Sequence, residues 1–132
     1  MSGPVFTSPP DLLAPAGYSH VVKIPPGHLA WTAGQLPMTR EREIPAGWEA
    51  QTRLAFENTG RALRAAGAAW SDVVKLTIYA VGLSELATIR RVRDEFVDTA
   101  APPTSSLVEV AALVDPDALL EIEAVAFLGD RD

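Results

Sequence analysis

Residues 48–80 carry two hydrophobic periods back to back, and this switch constrains the fold more than any other feature of the chain. From 48 to 66, Leu54, Ala55, Ala62, Leu63 and Ala66 recur at helical spacing. Glu49–Arg53 and Glu57–Arg61 stand four apart in the order that supports a helix, and Gly67 is placed to end it. Immediately beyond, Val74, Leu76, Ile78 and Ala80 alternate with Val73, Lys75, Thr77 and Tyr79, which is the period of a strand. A long amphipathic helix running straight into a strand predicts a sheet on which that helix lies.

The remaining segments extend this pattern. Residues 19–24 read as a strand closed by Pro25-Pro26-Gly27, with residues 29–33 as its hairpin partner. Ser84 reads as the N-cap of a second helix whose apolar stripe is Leu86, Ile89, Val92 and Phe96. After Pro102-Pro103, residues 106–113 and 119–127 read as two further strands. The order ββαβαββ is an α/β (α+β) arrangement, a mixed sheet with two helices on one face. Two helices leave the other face uncovered, and there Tyr79, Val125 and Phe127 would lie beside Glu121 and Glu123. An uncovered apolar face of that kind predicts a homo-oligomer.

Composition narrows the function classes. A chain of 132 residues, 48% hydrophobic and 21% charged, fits one ordered domain spanning 1–132. It contains no cysteine, which excludes disulfides, thiol catalysis and cysteine-bound zinc. His20 and His28 have no carboxylate at ligand spacing, so no metal is expected, and His28 reads as a turn residue. Phosphate-binding glycine loops and the serine-hydrolase elbow are missing, so no cofactor is expected. A net charge of −6 argues against nucleic acid as a partner, and the cluster Arg90, Arg91 and Arg93 reads as a solvated helix face. The sequence has no basic segment followed by a long apolar run and no membrane-length apolar stretch, so a cytoplasmic protein without a membrane partner is expected.

Glu121 is the first candidate for chemistry, because a carboxylate packed among apolar strand neighbours can serve as a general acid or base. By strand parity alone, Glu121 and Glu123 share a face and read more readily as solvated side chains, as does Glu109.

Several motifs, in register, resemble the Rid family of reactive intermediate deaminases, the YjgF-like proteins. They are Gly17-Tyr18-Ser19-His20-Val21-Val22, Thr32-Ala33-Gly34-Gln35-Leu36-Pro37, Glu49-Ala50-Gln51-Thr52-Arg53, Asp72-Val73-Val74-Lys75, Val108-Glu109-Val110-Ala111 and Glu121-Ile122-Glu123-Ala124. The resemblance runs from about Ala14 to Phe127. It implies a chorismate-mutase-like fold, a homotrimer with small-molecule clefts between neighbouring subunits, and hydrolysis of enamine or imine intermediates to 2-keto acids and ammonia. It places the catalytic carboxylate on Glu121 and the tyrosine near the first strand on Tyr18. Around them it places the substrate-binding positions His20, Ala33, Gly34, Arg90, Ser105 and Leu107.

Two departures bear on substrate choice. The family deaminases read Pro-Ala-Arg-Ser before the Val-Glu-Val strand, whereas this chain reads Pro103-Thr104-Ser105-Ser106, and Ala33 stands where a serine usually precedes Gly-Gln. A guanidinium grips a carboxylate through two charge-assisted hydrogen bonds, which a serine cannot reproduce. Its loss is worth roughly 1.5–3 kcal/mol, or about tenfold to a hundredfold in affinity. The expectation is therefore a divergent member with Glu121 facing Ser105 and a less anionic ligand. Arg90 or Arg93 could compensate, but both read more readily as surface residues. A metabolite-binding protein without turnover and a chaperone-like interaction protein are the other readings.

Overall fold

The computed structural model describes residues 3–132. Among them the strands are β1 (Val5–Thr7), β2 (Val21–Lys23), β3 (His28–Trp31), β4 (Val73–Ala80), β5 (Thr104–Glu109) and β6 (Leu120–Gly129). The helices are α1 (Trp48–Ala65) and α2 (Leu86–Arg93), and a single 3₁₀ turn, Trp70–Asp72, leads into β4. The main sheet has the order β3-β6-β4-β5, with β4 and β5 parallel and β6 antiparallel to both β3 and β4. Parallel neighbours need a crossover, which α2 supplies between β4 and β5 and α1 supplies from β3 to β4.

Both helices pack on the same face, as expected. Phe56 of α1, Ile89 and Val92 of α2, Leu76 and Ile78 of β4, and Leu120 and Ile122 of β6 form one buried cluster. Each such side chain contributes about 1.5–3 kcal/mol through burial. Helix α1 ends in a Schellman turn. Gly67, at φ +80°, donates to Arg64 O (3.0 Å) and Ala68 donates to Leu63 O (2.9 Å).

The buried stripe of α1 is not the one its apolar residues outline. Gln51, Thr52, Ala55, Phe56, Thr59, Gly60 and Leu63 face the core, whereas Ala66 is exposed. Gln51 is admitted because its amide is satisfied. Its Nε2 donates to Pro45 O and Asp117 O (3.0 Å each), and its Oε1 accepts from the Leu119 N–H (2.8 Å). The bonds fix the chain just ahead of β6, two residues from Glu121.

Four local expectations give way to tertiary contacts. The hairpin between residues 19–24 and 29–33 does not form; β2 pairs with β1, and β3 pairs with β6. A tight hairpin needs turn residues at positive φ, which Pro25 and Pro26 cannot adopt, and β3 instead buries Ala30 against the cluster around Leu63 and Ala126. The pairs Glu49–Arg53 and Glu57–Arg61 are replaced. Arg53 makes a bidentate pair with Glu95 (3.0 and 2.9 Å), Arg91 of α2 takes Glu49, and Arg61 donates to Asn58. The N-cap of α2 is Glu85 rather than Ser84, without a side-chain capping bond. Strand β5 starts at Thr104, whose hydroxyl donates to Val74 O (2.6 Å), and ends at Glu109. Residues beyond it loop around Asp115, whose side chain accepts from the Asp117 N–H (2.9 Å).

Candidate functional site

Strand register divides the candidate residues between the two sheet faces. Tyr79 lies opposite Glu121, and Thr77 opposite Glu123, on β4 and β6. These half-buried side chains alternate with the core residues Leu76, Ile78 and Ala80, so they occupy the face away from the helices. Leu29 and Trp31 of β3 share that face, with Trp31 70% exposed. On β5 the pairing is Leu76 with Ser105 and Ile78 with Leu107, which puts Ser105 and Leu107 on the helix side. Within one chain, Glu121 and Ser105 therefore point to opposite sides of the sheet and do not face each other.

On the open face, Glu121 stands directly over Gly34. A Cβ added at Gly34 would lie 2.6 Å from Glu121 Oε2 and 2.7 Å from its Cδ. Residues 32–35 continue along β6, with Thr32 N–H donating to Ala124 O (3.0 Å), Gln35 N–H to Ile122 O (2.7 Å), and Ile122 N–H back to Gln35 O (3.1 Å). The ladder leaves Ala33 and Gly34 exposed and the Glu121 carboxylate without a hydrogen-bond partner among the described residues. Beside it the Tyr79 hydroxyl donates to Glu123. That bond holds the Tyr79 phenol above its usual pKa, with burial and the charges of Glu123 and Glu121 adding to the effect. The two glutamates thus differ: Glu123 is engaged, and Glu121 is available to a ligand or to water.

On the helix face, Tyr18, Arg90, Ser105 and Leu107 come together around a cavity of about 170 Å³, with Ala16, Ile78 and Arg93. The segment carrying Tyr18 is docked by Ser19, whose N–H donates to Pro103 O (3.1 Å) and whose hydroxyl donates to Pro102 O (2.6 Å). His20 does not line this cavity. It meets the Tyr18 ring edge-on at 5.2 Å, and its Nε2 lies 2.6 Å from Leu13 O, so it braces Tyr18. Arg93 is not a solvated residue; its side chain is only 8% exposed. Its burial escaped the sequence because the α2 stripe was read from apolar residues alone, although Arg93 follows Ile89 at helical spacing on the same face.

Residues 10–128 match the family model Ribonuc_L-PSP, described as endoribonuclease L-PSP. The chain belongs to this family, the Rid/YjgF proteins. TdcF of Escherichia coli is 41% identical over 103 residues, covering 76% of this chain and 79% of that one. The 2-iminobutanoate/2-iminopropanoate deaminase of Escherichia coli is 36% identical over 103 residues, with 76% and 80% covered. The crystal structure of YyfB from Yersinia pestis, a Rid protein, superposes with a TM-score of 0.84 at 33% identity, covering 96% of this chain and all (100%) of its own. A crystal structure of E. coli TdcF with bound serine superposes at 0.69 with 37% identity, covering 79% and 84%. The mixed sheet with two helices is thus the fold of Rid structures, and imine deaminases are among the family's members. No helix among the described residues is long and apolar enough to cross a membrane.

Proposed function

We propose that this protein hydrolyses the C=N bond of a small imine, or of the enamine that tautomerises to it, in a cleft formed between copies of the chain. The observation that carries this reading is the free Glu121 carboxylate, held over Gly34 on the opposite sheet face from the Tyr18–Ser105 cavity. Two half-sites on opposite faces can act on one small molecule only if one copy presents Glu121 and its neighbour presents the cavity. Leu29 and Trp31, 45% and 70% exposed on the Glu121 face, would be buried in such an assembly. The homotrimer implied by the family resemblance is the arrangement we favour.

In this site Glu121 removes a proton from water as the water oxygen attacks the imine carbon. The protonated Glu121 returns that proton to the nitrogen, giving a neutral carbinolamine. Its hydroxyl proton then passes to the amine nitrogen as the C–N bond breaks, and a carbonyl compound and ammonia leave with Glu121 again ionised. The relatives support this chemistry, since one of them is an E. coli deaminase of 2-iminobutanoate and 2-iminopropanoate. A second reading, in which the cleft holds a metabolite without turnover, draws on the serine bound in TdcF.

The test generates 2-iminopropanoate in situ and follows its loss. Glu121→Gln is expected to lower kcat roughly a hundredfold, as removal of a general base does. Equal rates for the two proteins would overturn the role of Glu121, and an inert wild type that still binds pyruvate would favour the binding reading.

A further inference from the structure

The serine at position 105 removes the guanidinium that the family resemblance places on β5, yet the cavity beside Ser105 is not short of cations. Arg93 and Arg90 both line it from α2, one helical turn apart, and no carboxylate does. Arg93 reaches it from a buried position. Its Nε donates to Asp94 Oδ1 (2.9 Å), while Nη1 and Nη2 make no hydrogen bond within the chain among the described residues. Two guanidinium nitrogens without partners, beside a cavity, form a fork matched to a carboxylate. The Ser105 hydroxyl also has no partner among the described residues and lines the same space.

The chain makes room for this arrangement at Gly17. Any Cβ there would lie 2.1 Å from Arg93 Nη2 and 2.9 Å from its Cζ, and the backbone sits at φ +81°, where other residues are strained. Gly17 thus allows the segment leading to Tyr18 to close over the guanidinium.

We propose that Arg93, with Arg90 at the mouth of the cavity, binds the carboxylate of the ligand from helix α2. The grip is moved from the sheet to the helix, and the space left at Ser105 admits the anion beside the serine hydroxyl. The ligand is then a carboxylate-bearing imine or 2-keto acid, and the expectation of a less anionic ligand, based on Ser105 alone, is revised. This assignment rests on the intersubunit imine-hydrolase reading for its chemistry, but it can be tested by binding alone.

The test measures binding of pyruvate and of its uncharged analogue pyruvamide by ligand-observed NMR, alongside imine turnover, in wild type, Arg93→Met, Arg93→Lys and the double variant Arg93→Met/Ser105→Arg. Wild type should prefer pyruvate. Arg93→Met should weaken pyruvate binding and raise KM about 10- to 100-fold with little change in kcat. Arg93→Lys, which keeps the charge but not the fork, should fall between. The double variant should recover binding by restoring a guanidinium from the strand, a rescue that a purely packing role for Arg93 would not show. Equal wild-type affinity for pyruvate and pyruvamide would overturn the proposal even if every variant failed to fold. Unchanged KM in Arg93→Met with normal turnover would overturn it while leaving the hydrolase reading in place. A wild type inert toward imines, but with Arg93-dependent pyruvate binding, would support the grip and remove the hydrolase.

Discussion

The two faces of the sheet use the same strands for opposite purposes. On the helix face, even-numbered residues of β4 and β6 pack against α1 and α2, and the chain's own elements line the cavity there. On the open face, the odd-numbered residues of the same strands present Tyr79, Glu121, Glu123 and Val125 with no covering layer among the described residues, whereas Phe127, expected on the uncovered face, is buried against Gly27. The hydrophobic core on the helix face is therefore complete in one copy and sets stability. The open face is incomplete in one copy, and its side chains are those that a neighbour or a ligand can meet. Substitutions on the two faces should separate in what they change.

The largest effect should come from Phe56→Ala. Phe56 is fully buried between the helices and the sheet, stacked on Phe96 at 5.2 Å and near Trp70 at 5.3 Å. Its truncation should cost about 3–5 kcal/mol in denaturant unfolding. A loss below about 1 kcal/mol would show that the helix face is not the stabilising one.

Gly34→Ala should do the reverse. The new methyl would meet the end of the Glu121 side chain rather than backbone, so Glu121 can swing aside at little cost in stability. The carboxylate would then leave its position over residue 34. We expect a turnover loss of roughly a hundredfold with nearly unchanged Tm, since a displacement of about 1 Å at a reacting group costs that much. Turnover close to wild type would mean that the placement of Glu121 over Gly34 is not used.

The smallest effect should come from Tyr79→Phe, which removes a bond on the half-open face. The expected loss is under about 1 kcal/mol. It carries a pH signature. Because the bond to Glu123 raises the Tyr79 pKa in the folded protein above its ordinary value of 10.0, its contribution is fully present below pH 10.0. That contribution should fade as pH rises through the raised value. Stability curves of wild type and Tyr79→Phe should therefore converge at high pH, and a difference that persists there would argue against this bond as its source.

Much of this arrangement was legible in the sequence where a signal is local and repeats. The period of two across Val73–Ala80 gave β4 with its faces, and Gly67 marked the end of α1. The same reading failed where polar residues are buried because distant groups satisfy them. Gln51 lies outside the apolar positions that outline α1, and its burial is explained only by its bonds to Pro45, Asp117 and Leu119. Arg93 looked like one of three solvated arginines, although it sits under Gly17. The ion pairs run not within α1 but from α1 to Arg91 of α2 and to Glu95 just beyond its end, because packing brings those opposite charges alongside α1.

By itself, the sequence determined that strands and helices alternate and that two helices cover only one sheet face. These follow from spacing along the chain, which the backbone geometry of helix and strand converts directly into faces, whereas Glu121, Tyr18 and Ser105 were singled out by the resemblance to the Rid family and not by spacing. Only the tertiary structure decided which strand pairs with which, that Glu121 and Ser105 lie on opposite faces of the sheet, and that a buried guanidinium stands beside Ser105. Those facts depend on contacts between residues far apart in the chain, such as Gly17 with Arg93 and Gly34 with Glu121, which no local period encodes.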